Sequence, residues 1–138
     1  LINKKKFEKK NFFDENFFLF LENDDLCKRT KILGNNIYVI KNAFIDHKGF
    51  SSSTKIDKDE LEYLRNWHWM WSKFYFNKKH NGFFQAFIFI LPSFFSSILK
   101  ILLFTLLLNN KKRKIYQFRF SGILNSIIGK TSWYRIKD

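Results

Sequence analysis

The clearest periodic pattern in the chain lies between residues 57 and 76. Apolar and aromatic side chains recur there every three or four positions and would share one helix face: Leu61, Leu64, Trp67, His68, Trp71, Phe74 and Tyr75. Asp57, with Glu60 three residues later, has the pattern of a helix cap. A helix this aromatic either packs inside protein or lies at the level of lipid headgroups, and the pattern leaves both open.

The stretch from Phe83 to Leu108 is the most apolar in the chain, and its 26 residues include one charge, Lys100, and one proline, Pro92. About 20 apolar residues are enough to cross a bilayer. Because the proline, the lysine and several serines interrupt the run, we expect one or two helices lying in the membrane interface in preference to a true span. The basic run Lys111–Lys114 follows at once, and residues 115–128 predict a last amphipathic helix.

The first third of the chain has a different pattern. Apolar residues 17–21 run straight into four polar ones, Glu22, Asn23, Asp24 and Asp25, which predicts a buried segment followed by a short helix over residues 24–33. Residues 36–41 are rich in β-branched and aromatic side chains and predict a strand. Further extended pieces are expected within residues 1–11 and 43–47. Taken alone, the acidic cluster is typical of an ordinary helix start.

Charge separates the chain into two parts. The formal net charge is +13, and residues 63–137 carry 13 Lys or Arg and no acidic residue. Such a surface attracts polyanions, either a phosphate backbone or the anionic face of a membrane. The basic residues flank a long apolar run instead of alternating with exposed aromatics, so we expect a membrane surface and no nucleic acid. The single cysteine, Cys27, excludes an internal disulfide and fits a reducing compartment.

Three phrases carry a resemblance to a known family. They are FDENFF at residues 13–18 with ENDDLCKR at residues 22–29, LRNWHWMWSKFYFNKKHNGF at residues 64–83, and SGILNSIIGKTSWYR at residues 121–135. In this order they resemble the acceptor side and C-terminal part of bacterial family 2 glycosyltransferases, of the rhamnosyl-transferring kind, which have the GT-A fold. The nucleotide-binding half of that family, with its metal-binding D-x-D, has no counterpart in the chain, which we therefore interpret as a fragment.

The resemblance implies a fold class and a division of the chain. Residues 1–54 would be the acceptor-side part of an α/β GT-A catalytic domain with exposed sheet edges, and residues 55–138 a helical, basic and aromatic membrane-associated region. The implied reaction is inverting transfer of a sugar from a nucleotide-sugar donor to a hydroxyl of a saccharide or lipid-linked acceptor, assisted by a divalent metal, Mg or Mn. The implied location is the cytoplasmic face of the inner membrane, bound peripherally or through one transmembrane segment.

The resemblance also implies site residues. The family's usual base falls at Asn23, which cannot accept a proton usefully, so the role passes to Glu22, Asp24 or Asp25. Substrate-binding positions would be Asp14, Glu15, Asn23, Arg29 and Trp67, and His47 would bind the metal. Arg29 has a second interpretation, an ion pair with the acidic cluster one turn back. Asp57 and Asp59 form a D-x-D, which we interpret as a helix cap and not a metal site.

Two other classes of function compete with the glycosyltransferase. A nucleic-acid-binding module would account for the charge and the aromatics but not for the apolar run. A non-enzymatic basic membrane-surface protein would account for residues 61–138 and leave the ordered acidic motif without a role.

Overall fold

The computed structural model describes residues 12–42, 44 and 57–136, and the regular secondary structure in them consists of α-helices. Four helices follow one another: α1 (Glu22–Ile32), α2 (Lys58–Asn81), α3 (Phe83–Leu106) and α4 (Asn110–Ile127). Helix α1 starts two residues before the predicted boundary, and α2 lies where the sequence predicts a helix. Helix α4 starts at Asn110, five residues before the predicted boundary, and therefore includes the basic run. The apolar run forms the single long helix α3.

The predicted α/β class, and with it the GT-A fold, is wrong. Residues 36–40 have no regular structure, and the described residues contain no strand. Tyr38 and Val39 are 78% and 89% exposed. The preference of such residues for strands reflects packing on a pleated sheet beside a partner strand, and the described residues offer no such partner. The other predicted extended pieces, within residues 1–11 and 43–47, fall almost wholly outside the described part of the chain.

Local signals account for the helix boundaries. The Asp57 side chain accepts a hydrogen bond from the Asp59 backbone N–H, so this D-x-D caps α2. Gly82, with φ of 86°, is the one residue between α2 and α3 and allows the reversal that a side chain would hinder. The Asn109 side chain caps α4 through the Lys112 N–H. Helix α1 has no side-chain cap, and Leu21 before it is left-handed.

The three long helices form an up-down-up bundle. Contacts such as Lys73 with Ser93 show that α3 runs antiparallel to α2. Contacts of Tyr63 with Phe118 show that α4 runs parallel to α2. The core between them consists of Met70, Phe74, Ala86, Ile90 and Ile123.

Helices α2 and α4 approach each other closely at Gly122, where a Cβ atom would collide with the Trp67 carbonyl oxygen. Polar side chains secure the same interface, since Trp67 Nε1 donates to Ser121 Oγ at 3.2 Å and Ser126 Oγ donates to the Trp71 carbonyl at 3.0 Å. Trp67 is only 1% exposed. The aromatic face of α2 is therefore packed inside protein, which decides between the two interpretations that the sequence left open.

The segments before α1 and after α4 meet on another face of α2. Ser72 Oγ donates to the Leu19 carbonyl, and Ser132 Oγ donates to the Asn16 carbonyl. His68 is fully buried between them, with Nε2 donating to the Tyr134 carbonyl at 2.8 Å. The His68 imidazole thus joins α2 to the C-terminal segment.

His68 makes the fold sensitive to acid. Burial, opposed by the hydrogen bond to the Tyr134 carbonyl and aided by the nearby positive charge of Arg135, lowers the pKa of His68 from 6.5 to about 4. Because the unfolded chain binds this proton more readily, stability should fall as the pH drops from 6.5 towards 4. Allowing for solvent screening, we expect a loss of about 1 to 2 kcal/mol.

Urea unfolding at a series of pH values measures this loss. His68→Gln keeps a donor for the Tyr134 carbonyl but cannot titrate, so its stability should decline less over the same range. Parallel declines in the two proteins would contradict the assignment to His68.

Candidate functional site

One face of α2 carries a buried ionic cluster that holds α1 in place. Its centre is Asp25, which has 0% exposure. Arg29 Nε lies 2.8 Å from one Asp25 carboxylate oxygen, and Lys79 Nζ and His80 Nε2 lie 2.7 Å and 2.8 Å from the other. Burial alone would raise the pKa of Asp25, but the hydrogen bonds from these three partners lower it. Asp25 is therefore a charged carboxylate held by two cations, Arg29 and Lys79, and by the His80 imidazole.

Lys79 links this carboxylate to a second one. The Lys79 Nζ atom also lies 2.7 Å from Asp14 Oδ2. The same oxygen accepts a hydrogen bond from the Tyr75 hydroxyl at 2.9 Å. Burial opposes ionisation of Asp14, but the hydrogen bonds from Lys79, Asn16 and Tyr75 lower its pKa to about 2. Burial, with the Asp14 partner, raises the pKa of Tyr75 to about 12. We call this set the Asp25 cluster: Asp14, Asp25, Arg29, Tyr75, Lys79 and His80.

The structure brings only some of the sequence-predicted site residues together. Asp14, Asp25 and Arg29 meet in the Asp25 cluster, where Arg29 pairs with Asp25 and donates to the Phe12 carbonyl at 2.6 Å. The ion-pair interpretation of Arg29 is therefore confirmed. Trp67 lies elsewhere, buried between α2 and α4.

The other predicted positions surround the first turn of α1 or lie outside the described residues. Asn23 and Asp24 are exposed there, and Glu15 is exposed in the preceding loop. Glu22 is half-buried, and one of its carboxylate oxygens is shielded without a hydrogen-bond partner in the described structure. His47 falls outside the described part of the chain.

Sequence analysis missed three members of the Asp25 cluster, Tyr75, Lys79 and His80. The signal was present, because Tyr75 and Lys79 are four residues apart and share a helix face. Nothing in the sequence connects that face with carboxylates more than 50 positions away.

The described residues give no metal site in this region. No group of three or more His, Cys, Asp or Glu side chains comes together as metal ligands within ranges 12–42 and 57–136. The two buried carboxylates have Lys and Arg partners instead, and such cations occupy the positions that a metal ion would need.

A second surface lies on α3. Six residues spaced along one face of this helix are each more than half exposed: Phe84, Ile88, Phe95, Leu99, Leu102 and Leu106. Their spacing places them within about 60° around the helix, and the row is about 33 Å long. We call this row the α3 stripe. Ala86, Ile90 and Ser97, on the opposite face, are buried against the bundle.

Two hydroxyl groups on α3 donate hydrogen bonds to backbone carbonyls of the same helix. Ser97 Oγ donates to the Ser93 carbonyl, and Thr105 Oγ1 donates to the Ile101 carbonyl, both at 2.7 Å. Satisfied hydroxyls are compatible with apolar surroundings. Within the described residues, α3 is also the one helix long and apolar enough to cross a membrane.

Cations gather where α3 ends and α4 begins. Lys100 and Arg119 lie over the ring of Tyr116, and Lys112 lies over the ring of Phe104. The two rings are stacked, with centroids 5.7 Å apart. This basic region borders the C-terminal end of the α3 stripe.

The described residues thus form a small helical protein with an exposed apolar helix, a basic region beside it and the buried Asp25 cluster. No protein-family model, curated protein or solved structure matches this chain.

Proposed function

We propose that this chain attaches a glycosyltransferase to the cytoplasmic face of the bacterial inner membrane. The observation that carries the membrane part is the α3 stripe, an uninterrupted apolar row about 33 Å long on a helix whose other face is packed. Contiguous exposed apolar surface of this size marks a site for membrane or protein contact. The basic region beside the stripe favours contact with an anionic membrane.

The bundle favours a helix lying in the membrane plane over one that spans. Helices α2 and α4 run along the inner face of α3 and carry Lys73 beside Ser93 and Arg119 beside Tyr116. If α3 crossed the bilayer with the bundle intact, these cations would enter the hydrocarbon. Each charge at the bilayer centre costs about 2.5 to 3.5 kcal/mol or more. A flat helix buries only the stripe and leaves every charge outside.

Depth measurements test the flat orientation. Single cysteines replace Phe84, Phe95 and Leu106 in a Cys27→Ser protein, and a bound fluorophore reports its depth through lipid-attached quenchers. In the flat orientation the three positions have the same shallow depth. A span would place position 95 much deeper than positions 84 and 106, and that result would overturn the flat orientation.

The glycosyltransferase part of the proposal rests on the family-like phrases and on which carboxylates remain accessible. A general base must reach the acceptor hydroxyl and gain a proton there. Asp25 is buried and paired with two cations, which favours a positioning role and leaves Glu22 and Asp24 as candidates for the base. In the proposal a nucleotide-sugar donor binds to residues outside this chain, and the acceptor is a saccharide or a lipid-linked sugar.

Asn23 and Glu15, beside these carboxylates, would contact the acceptor. A divalent metal, Mg or Mn, would assist departure of the donor diphosphate, with His47 as the candidate ligand that the family-like phrases imply. The described residues form no group of three or more metal ligands.

Turnover by a protein that joins this chain to a donor-binding part tests the catalytic assignment. A general base contributes on the order of a hundredfold or more. Either Glu22→Gln or Asp24→Asn should therefore lower turnover at least about a hundredfold with little change in donor affinity. Asp59→Asn, on the remote first turn of α2, is the matched control and should leave turnover near the parental value.

Asn23→Asp restores the usual family residue and should raise turnover. Near-parental turnover in both amide variants would overturn the catalytic assignment and leave a membrane-surface protein without this chemistry.

A further inference from the structure

The basic run at the start of α4 divides between two faces. Lys111 Nζ lies 2.6 Å from an Asp59 carboxylate oxygen and 3.7 Å from one of Glu62, so its charge is matched by acids of α2. Lys114 lies over the ring of Tyr63, also on α2. Lys112 points instead to Phe104 of α3. Since helix positions 100° apart face different neighbours, these lysines do not form one patch.

The cations that face α3 surround a pair of stacked rings. We call this set the cationic groove: Lys100 and Phe104 of α3 with Lys112, Tyr116 and Arg119 of α4. Lys100 Nζ is 4.9 Å and Arg119 Cζ is 5.6 Å from the Tyr116 ring centre, and Lys112 Nζ is 5.3 Å from the Phe104 ring centre. Aromatic faces hold cations in place while leaving their N–H groups able to donate elsewhere.

The groove holds three positive charges that no acid in the described structure neutralises. The ion pairs of the described residues involve Asp14, Asp25, Asp59 and Glu62, and none of them includes a cation of the groove. The Nε atom of Arg119 is shielded from solvent and has no hydrogen-bond partner among the described residues. The charge of the groove is therefore complementary to an anion with more than one negative charge.

The position of the groove beside the α3 stripe points to a membrane lipid as the source of that anion. Lys100 follows Leu99 and precedes Leu102, two members of the α3 stripe, so the groove lies at the edge of the apolar surface. With the stripe buried in the interface, the groove would lie at the depth of lipid phosphates.

We propose that the cationic groove binds the headgroup of a membrane lipid that carries a phosphomonoester or a diphosphate. The inference rests on the proposed membrane attachment, since the groove meets a headgroup only when the stripe is inserted. Three grouped cations match a group with two or more negative charges, whereas a singly charged phosphodiester leaves most of them unpaired.

Flotation with two kinds of vesicle tests the inference. Both contain phosphatidylcholine, one with phosphatidic acid and the other with enough phosphatidylglycerol to equal its surface potential. The wild-type chain should bind the phosphatidic acid vesicles roughly tenfold more tightly. Lys100→Gln with Lys112→Gln should abolish this preference, and because both lysines are exposed, the variant should fold normally.

A charge-matched control separates the groove from net charge. Lys31→Gln with Lys130→Gln removes two exposed cations elsewhere and should keep the preference. Equal binding of the wild type to both vesicles, or equal loss in the control, would overturn the inference while leaving membrane attachment intact. Failure of the wild type to bind either vesicle would overturn the attachment itself.

A competition arm distinguishes lipid phosphate from soluble phosphate. Inorganic phosphate and pyrophosphate, added at constant ionic strength, should release the chain only at concentrations far above that of the accessible phosphatidic acid, because the inserted stripe holds the groove beside the lipid. Release by either ion at a concentration equal to that of the accessible lipid would show that the groove takes a soluble anion, against the inference.

Discussion

Replacing Leu99 and Leu102 together with Gln should release the chain from anionic vesicles and lower its partition coefficient at least about a hundredfold. Both side chains lie in the α3 stripe and are 66% and 59% exposed, so the bundle does not depend on them. Burial of a leucine side chain contributes about 1.5 to 3 kcal/mol, and each 1.4 kcal/mol is tenfold in an equilibrium constant. Vesicle flotation at several lipid concentrations measures the partition coefficient.

The matched control makes the same chemical change away from the stripe. Ile32 and Leu33, at the end of α1, are exposed to a similar degree, and Ile32→Gln with Leu33→Gln should leave the partition coefficient nearly unchanged. Equal losses in the two double variants would mean that general hydrophobicity, and not the stripe, drives binding. Unchanged binding of the Leu99 and Leu102 variant would remove the main support for membrane attachment.

Asp25→Asn should destabilise the fold by about 3 to 5 kcal/mol, because it leaves buried cations without their carboxylate. The amide keeps the shape of the side chain but no longer neutralises Arg29 and Lys79, which both lie within 2.8 Å of the Asp25 carboxylate. The loss should be concentrated in the attachment of α1 to α2. Urea unfolding at pH 7 measures the free energy of unfolding, and hydrogen exchange of α1 amides measures the local effect.

The neighbouring residue provides the control for this prediction. Asp24 lies on the exposed side of the same helical turn, and Asp24→Asn should change the free energy of unfolding by no more than about 0.5 kcal/mol. If the two amide variants are equally stable, the Asp25 cluster does not hold α1. The pair also separates roles at the site, because any loss of turnover in Asp24→Asn should occur without unfolding, whereas Asp25→Asn should lose turnover through lost structure.

The start of α2 and its apolar face could be predicted because their causes are local. The Asp57 cap and the three- to four-residue spacing from Leu61 to Tyr75 each depend on neighbouring residues. The same spacing could not say whether Trp67 faces protein or lipid. That depended on Gly122, far along the chain, whose missing side chain lets α4 approach.

The strand predicted at residues 36–41 is wrong because a strand, unlike a helix, depends on a partner elsewhere in the chain. Its β-branched residues satisfy the local preference, but a strand is stabilised by a paired neighbour, and the described residues supply none. The GT-A fold, which the family-like phrases implied, requires a sheet and is wrong for the same reason. Helix α1, which carries the acidic motif, is present because the backbone hydrogen bonds of a helix form within the helix itself and need no distant partner.

The sequence alone determined the apolar character and length of α3, the excess of cations after residue 62 and the grouping of carboxylates near residue 22, since composition and local spacing are properties of the chain itself. Only the tertiary structure decided which carboxylate is buried and which lysines act together. Lys79 and His80 reach Asp25 across more than 50 positions, while Lys111 and Lys112, adjacent in sequence, face different helices. Ion pairing and burial act through distance in space, which helix packing sets and local spacing does not.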